Sequence, residues 1–179
     1  ARELSKTENE ISIYTTDLDF GNGPKKFNKK LLRNEVIGNF RINRSHVWAS
    51  INLFYINPGM YFQMLNDDID IIHTIGIRSF QSFIAALISK KKKIPLIISD
   101  QGGLTTHPDL QESGIIRKLL YKIQQPMIKF VINQASKISV ANEYEQNIFS
   151  SLGVKSKTII IKNGINLDEL DFKNIEFKK

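Results

Sequence analysis

The chain contains no cysteine. Disulfides, thiolate catalysis and cysteine-based zinc sites are therefore excluded, which agrees with a cytoplasmic protein. Long apolar runs are missing too. The longest, such as Ile94–Ser99 and Thr158–Ile161, fall well short of the roughly 20 residues a membrane-spanning helix needs. The start, Ala1-Arg2-Glu3-Leu4, has neither an initiator methionine nor the apolar core of a secretory signal. There is no internal repeat and no low-complexity linker. Acidic residues are the minority charge, 18 against 25 lysines and arginines, which leaves a net +7.

What is present suits one soluble domain. The length is 179 residues, with 41% hydrophobic and 24% charged, enough to bury a core and too apolar for disorder. The positive excess is partly concentrated in Lys25, Lys26, Lys29, Lys30 and in Lys90 to Lys93. A basic surface can hold nucleic acid, anionic lipid or a phosphorylated substrate. Runs of this kind are most often solvated loops and helix ends.

The dominant rhythm is strand followed by helix. Ile11 to Thr16 alternates with β-branched residues and reads as a strand. Asp17 to Lys30, with Gly21, Asn22, Gly23 and Pro24, is loop chemistry. Glu35 to Ile42 is a second strand candidate, and Val47 to Ile56 is apolar and ambiguous. Asn57-Pro58 reads as an N-cap with proline at the first helical position, opening a helix to about Leu65. Asp70 to Thr74 is a short buried strand. Ser79 caps a helix with a stripe at Phe80, Phe83, Ile84, Leu87 and Ile88. Pro95 to Ser99 carries no charge, as expected of a strand covered on both faces. Ile115 to Ala135 reads as a long helix with a kink or break at Pro126. Lys137 to Val140 is a strand, Glu143 to Leu152 a helix closed by Gly153, and Lys157 to Ile161 the last strand.

This alternation predicts βαβ units: an α/β, Rossmann-like parallel sheet with right-handed crossovers and helices on both faces. Ligands of such sheets sit beyond the carboxyl ends of the strands. Four loops there carry unusual residues: Thr74 to Ser79, Ser99 to Leu104, Ala141 to Glu143, and Lys162 to Ile165. Gly102 and Gly103 permit close approach of a ligand, or form a plain tight turn. Arg78, near a helix N-terminus, suits phosphate, or pairs with a surface carboxylate. His73 ends an apolar strand and reads as a hydrogen-bonded structural histidine before a catalytic one. Asn142 is a natural N-cap, and Glu143 suits the positive end of the helix dipole.

The order of these loops resembles a known family. Asp70-Ile-Ile-His73-Thr74, Gly76-Ile-Arg78-Ser79-Phe80-Gln81, Pro95-Leu-Ile-Ile-Ser99-Asp-Gln101-Gly102-Gly103, Ile138-Ser-Val-Ala-Asn142-Glu143-Tyr-Glu145, Leu152-Gly153-Val154 and Ile160-Ile-Lys162-Asn163-Gly164-Ile165 follow in sequence. Together they resemble the N-terminal, acceptor-side domain of retaining GT-B glycosyltransferases of family four. The resemblance implies transfer of a sugar from a nucleotide-sugar donor to a glycan or lipid-linked acceptor, between two Rossmann-like domains. It implies no metal, and a cytoplasmic enzyme that can sit on the inner face of the membrane.

Three departures accompany the resemblance. The family opens with a strand and a glycine-rich loop, whereas Ala1 to Lys6 resembles the end of the helix after that loop, so the first strand is expected to be missing. Gln101 stands where many members carry histidine, and a glutamine can hydrogen-bond a sugar but not act as acid or base. Residues 1–164 then form the N-terminal domain and residues 165–179 the start of the interdomain linker, with the C-terminal nucleotide-sugar domain absent. On this reading the chain binds acceptor, binds no cofactor of its own and is inactive alone. The substrate-binding set is Gly76, Arg78, Ser79, Gln101, Gly102, Gly103, Asn142 and Glu143. Asn163 and Gly164 face the partner domain, and no catalytic residue is assigned.

The helix from Ile115 to Ala135 places Lys118, Lys122, Gln125, Lys129 and Asn133 on one face. Ile116, Leu119, Leu120, Ile123, Met127 and Val131 fall largely on the other. A core helix with a solvated side is favoured; an anionic membrane surface is the sharper alternative. Other readings of the chain are weaker. A dinucleotide-dependent oxidoreductase needs a GxGxxG turn, and Gly21-Asn22-Gly23 lacks the third glycine. A nucleic-acid module would interleave aromatics with its basic runs, which this sequence does not. A nucleotide-sugar epimerase of the same architecture stays open, because its distinguishing residues would lie in a second domain.

Overall fold

The structure is a computed structural model that describes residues 8–19, 27–28, 30–51, 54–100, 115–154 and 157–164, with backbone alone over 115–121. The first strand is Ile11–Thr16 (β1). Asn34–Ile37 (β2) and Phe40–Ser45 (β3) form an antiparallel hairpin around Gly38-Asn39, where Gly38 has φ +58°. The single strand expected over Glu35 to Ile42 is thus two strands, broken where a Gly-Asn pair supplies turn geometry. β3 also pairs in parallel with β1, Ile13 opposite Ile42.

The ambiguous stretch from Val47 resolves into a second hairpin, Ala49–Ile51 (β4) and Phe54–Ile56 (β5). Helix Gly59–Asn66 (α1) follows and buries Met60 and Met64. Asn57 does not cap it through its side chain; Pro58 holds the cap position. Then come Ile72–Ile75 (β6), Phe80–Lys92 (α2), Leu96–Ser99 (β7), Ile115–Gln134 (α3), Lys137–Val140 (β8), Glu143–Ser151 (α4) and Thr158–Ile160 (β9). Gly153, just past α4, takes φ +77°, the left-handed cap expected of it.

The last four strands form a parallel sheet in the order β6-β7-β8-β9. Successive strands step in one direction, so right-handed crossovers deliver α2, α3 and α4 to one side. Ile72, Leu96, Ile98, Ile138 and Val140 are buried there, in one cluster with Met64 of α1, Ile88 of α2, Val131 of α3 and Phe149 of α4. Each such side chain contributes about 1.5–3 kcal/mol of apolar burial. The alternate positions, Ile71, His73 and Ile75, lie on the other face and are exposed. The α/β, Rossmann-like architecture is the one the strand–helix rhythm predicts, except that α2, α3 and α4 cover one face of this sheet rather than both, because its strands step in one direction.

The two parallel groups are tied together rather than hydrogen-bonded strand to strand. α1 touches β1, β3 and α2. The Tyr14 hydroxyl of β1 donates to Asp67, just past α1. Partial burial first, and then this bond, push the Tyr14 pKa above its usual range.

α3 runs through Pro126 without a break. Its buried stripe is Ile128, Val131, Ile132, with Ala135 just after it, while Ile123 is 65% exposed. Lys122, Lys129 and Asn133 are exposed as expected, whereas Ile123 shares their solvent rather than the core.

Candidate functional site

In a parallel sheet every strand delivers its following loop to the same rim. The turn from β6 to α2 is tightly constrained. Gly76 takes φ +77°, and its N–H donates to Ser99 O at 2.8 Å. Ser79 Oγ caps α2 by accepting the Ser82 N–H at 3.0 Å. The buried Ser82 hydroxyl donates to Gly76 O at 2.6 Å and meets Thr74 Oγ1 at 2.8 Å. Three polar side chains and one left-handed glycine thus fix the turn that carries the half-buried Arg78.

β7 is followed by Asp100, which is buried and whose N–H donates to Ser139 O at 2.9 Å. Gln101, Gly102 and Gly103 follow directly and lie outside the described residues, as do Gly21 to Gly23, Lys25, Lys26 and Lys29. His73 Nε2 meets Ser99 Oγ at 2.8 Å across β6 and β7. Loss of solvent around the ring lowers its pKa below the ordinary value. The sequence favours a hydrogen-bonded histidine here, and the ring makes that bond.

At the turn from β8 to α4, Asn142 Oδ1 accepts the Glu145 N–H at 2.9 Å, and Glu145 Oε2 accepts the Ala141 N–H at 2.8 Å. This resembles a capping box, except that the carboxylate reaches the N–H of the residue before the N-cap. Asn142 is the N-cap the sequence implies, and the buried carboxylate is Glu145; Glu143 is exposed. Past β9, Ile161 N–H donates to Val140 O at 2.9 Å, and Asn163 and Gly164 stand exposed on the same rim. The described residues therefore bring Gly76, Arg78, Ser79, Asn142, Glu143, Asn163 and Gly164 to one edge.

The rim continues onto the first strands, which sequence reasoning did not single out. Asn57 is 0% exposed; its Nδ2 donates to Ser45 Oγ at 2.7 Å, and its Oδ1 accepts from Gln81 Nε2 at 2.6 Å. Gln81 Nε2 also donates to Tyr55 O at 3.0 Å. The end of β3 is thereby stitched to the first turn of α2. Beside it, Asp17 and His46 pair at 2.5 Å. The available signal was an amide and a carboxylate each directly after a strand-like run.

A family model described as Glycosyltransferase Family 4 matches residues 1–169. The chain belongs to glycosyltransferase family 4. No curated protein sequence matches it.

In this glycosyltransferase domain the rim offers helix N-termini and backbone N–H groups rather than a cluster of charges. α2 and α4 both start there, each with its positive dipole end facing outward. Among the described residues no group of three histidine, aspartate or glutamate side chains could hold a metal ion. No described helix is long and apolar enough to cross a membrane.

The lysine run lies elsewhere. Lys90, Lys91 and Lys92 form the last turn of α2, at the amino edge of the sheet. Lys90 and Lys91 each sit 5.7 Å from an aromatic ring centre, Phe130 and Tyr61. A shallow hollow lined by Ser89, Lys93, Pro95, Gln134 and Ser136 opens at that same edge, away from every candidate residue.

Proposed function

We propose that this domain holds the acceptor in the transfer of a sugar from a nucleotide-sugar donor to a glycan or lipid-linked acceptor. Membership of glycosyltransferase family 4 supports sugar transfer as the reaction class. The observation that carries the acceptor role is the rim. Gly76–Ser79, Asn142–Glu143 and Asn163–Gly164 follow three strands of one parallel sheet, where α/β sheets bind ligands. The donor is bound by a second Rossmann-like domain, whose groups stabilise the leaving diphosphate. Resemblance to retaining members supports retention at the anomeric carbon, and an acceptor anchored in lipid supports work at an anionic membrane surface. No metal is needed.

The test uses the full-length protein with UDP-glucose, UDP-N-acetylglucosamine and GDP-mannose in turn, with extracted membrane lipids as acceptor source. Nucleoside diphosphate release is followed. One donor is consumed, and Arg78→Ala lowers turnover about tenfold or more while melting stays within a few degrees. Wild-type turnover in Arg78→Ala removes this turn from the site. No release from any donor removes the reading.

A further inference from the structure

Asp17 and His46 stand at the carboxyl ends of two adjacent parallel strands and have no part in the contacts described for the α2 and α4 turns. β1 and β3 pair Thr16 with Ser45, so the next residues leave the sheet side by side. Asp17 is buried, and both of its oxygens are engaged. Oδ2 meets His46 Nδ1 at 2.5 Å and Oδ1 accepts the Val47 N–H at 3.1 Å. A carboxylate on Nδ1 fixes the orientation of an imidazole and leaves Nε2 as its outward group. The His46 side chain is partly exposed.

The chain then turns a second group outward. Val47 is buried, and in extended chain the residues on either side of it share the opposite face. Those residues are His46 and Trp48. Trp48 is 74% exposed, although its own N–H is tied to Ile56 O at 2.8 Å in the β4–β5 hairpin. A large apolar ring is thus held in water on an anchored backbone, next to an oriented polar group. A pyranose has the matching surfaces, an apolar C–H face for the indole and hydroxyls for the imidazole.

We propose that Asp17, His46 and Trp48 form a sugar-binding subsite on the carboxyl rim, with Trp48 against the pyranose face and His46 Nε2 hydrogen-bonded to a hydroxyl. Asp17 is a positioning residue. The subsite takes a sugar of the acceptor, which rests on the acceptor-side reading above. It is continuous with the rest of the rim, because Ser45, next to His46, is joined through Asn57 to Gln81 of α2. A lipid surface would also receive an exposed tryptophan. It would leave the buried carboxylate and its oriented imidazole without a use, so the sugar is favoured.

Trp48 is the one tryptophan in the chain, so its emission reports on this site alone. The protein is titrated with the methyl glycosides of glucose, galactose, mannose and N-acetylglucosamine, and separately with phosphatidylglycerol vesicles. A saturable emission change with at least one glycoside is expected. It weakens about tenfold in His46→Ala and less in Asp17→Asn, as loss of one hydrogen bond or of its orientation requires. His46→Gln, which keeps a donor and an acceptor, recovers part of the affinity. Circular dichroism and melting establish that each variant is folded, and His46→Gln serves if His46→Ala is not. No response to any glycoside, an equal response in the folded histidine variants, or a response to vesicles alone overturns the subsite. Donor turnover measured in parallel separates the two ideas. Turnover without a glycoside response removes the subsite and keeps the transferase. A glycoside response without turnover of any donor keeps the sugar site and removes the transferase.

Discussion

At the carboxyl edge of the parallel strands the chain buries polar groups and fixes them. Asn57, Ser82, Asp100 and Glu145 are all buried there. The amino edge buries fewer such groups, Ser89 and Thr158, and adds exposed charge. It places three consecutive lysines on the last turn of α2, where the helix dipole favours them; Lys90 and Lys91 lie by the rings of Phe130 and Tyr61, and Lys92 donates to Asp67 O. Among the described residues, more polar groups are buried and hydrogen-bonded at the carboxyl edge, and the lysines of the amino edge are mostly exposed. A binding site depends on dipoles held in place before the ligand arrives, which costs desolvation and conformational freedom. Solvated lysines incur neither cost. Buried, hydrogen-bonded polar groups are thus concentrated, among the described residues, at the edge proposed to bind the acceptor.

The strongest way to break that comparison is to cut the polar seam. Asn57→Ala deprives both Ser45 and Gln81 of a partner in a fully buried position. A loss of about 2–4 kcal/mol is expected, since each orphaned buried group costs roughly 1–3 kcal/mol. Chemical denaturation measures it. A loss below about 0.5 kcal/mol, the level of an ordinary surface change, would mean the seam is decoration.

Two glycines sharpen the comparison next. Gly76 and Gly153 share φ +77°, and a Cβ at either would meet nothing within 4 Å. Alanine at each therefore carries the same backbone strain, about 1–2 kcal/mol, and no clash. Gly76 lies in the rim turn and Gly153 ends α4 away from it. Equal stability losses are expected, with turnover reduced in Gly76→Ala alone. Equal turnover losses would show that stability, not the rim, limits activity.

The parallel sheet was legible because its strands and helices carry one pattern each. Lys137–Val140 and Ile11–Thr16 fall where β-branched alternation puts them. Ser79 and Asn142 cap the helices they precede, because capping is a local rule read over three residues. The β2–β3 hairpin was not legible as such, because an apolar run hides a two-residue turn. Asn57 illustrates the deeper limit. A local rule assigns Asn-Pro to a helix start, yet the amide is drawn to Ser45 and Gln81, 12 and 24 residues away. The Asp17–His46 pair spans 29 residues and leaves no spacing signature. Partners supplied by different strands become visible only once the sheet brings them together.

Smaller effects test the amino edge. Replacing Lys90 and Lys91 with glutamine should change stability by about 0.5–1 kcal/mol per lysine at most, because their ring and dipole contacts are exposed. Turnover should be unchanged. A tenfold loss of turnover would place function at the edge assigned here to structure.

The smallest expected effect concerns His73. Its folded pKa lies below the unfolded value of roughly 6.5, because packing removes water from the charged ring. Between those two values the unfolded chain binds more protons than the folded one. Its contribution to stability is therefore complete above about pH 6.5 and is lost as pH falls toward the folded pKa. The ring's carbon-bound proton shifts followed by NMR should give a midpoint below about 6.5. The acid-side slope in stability should shrink in His73→Gln, which can keep a hydrogen bond to Ser99. A midpoint above that value would require a carboxylate to reach the ring. Asp100 directly follows Ser99, the residue His73 already touches, so it is the group to replace next. If Asp100→Asn then restored the low midpoint, His73 would belong to a charged site on the rim and not to the scaffold beneath it.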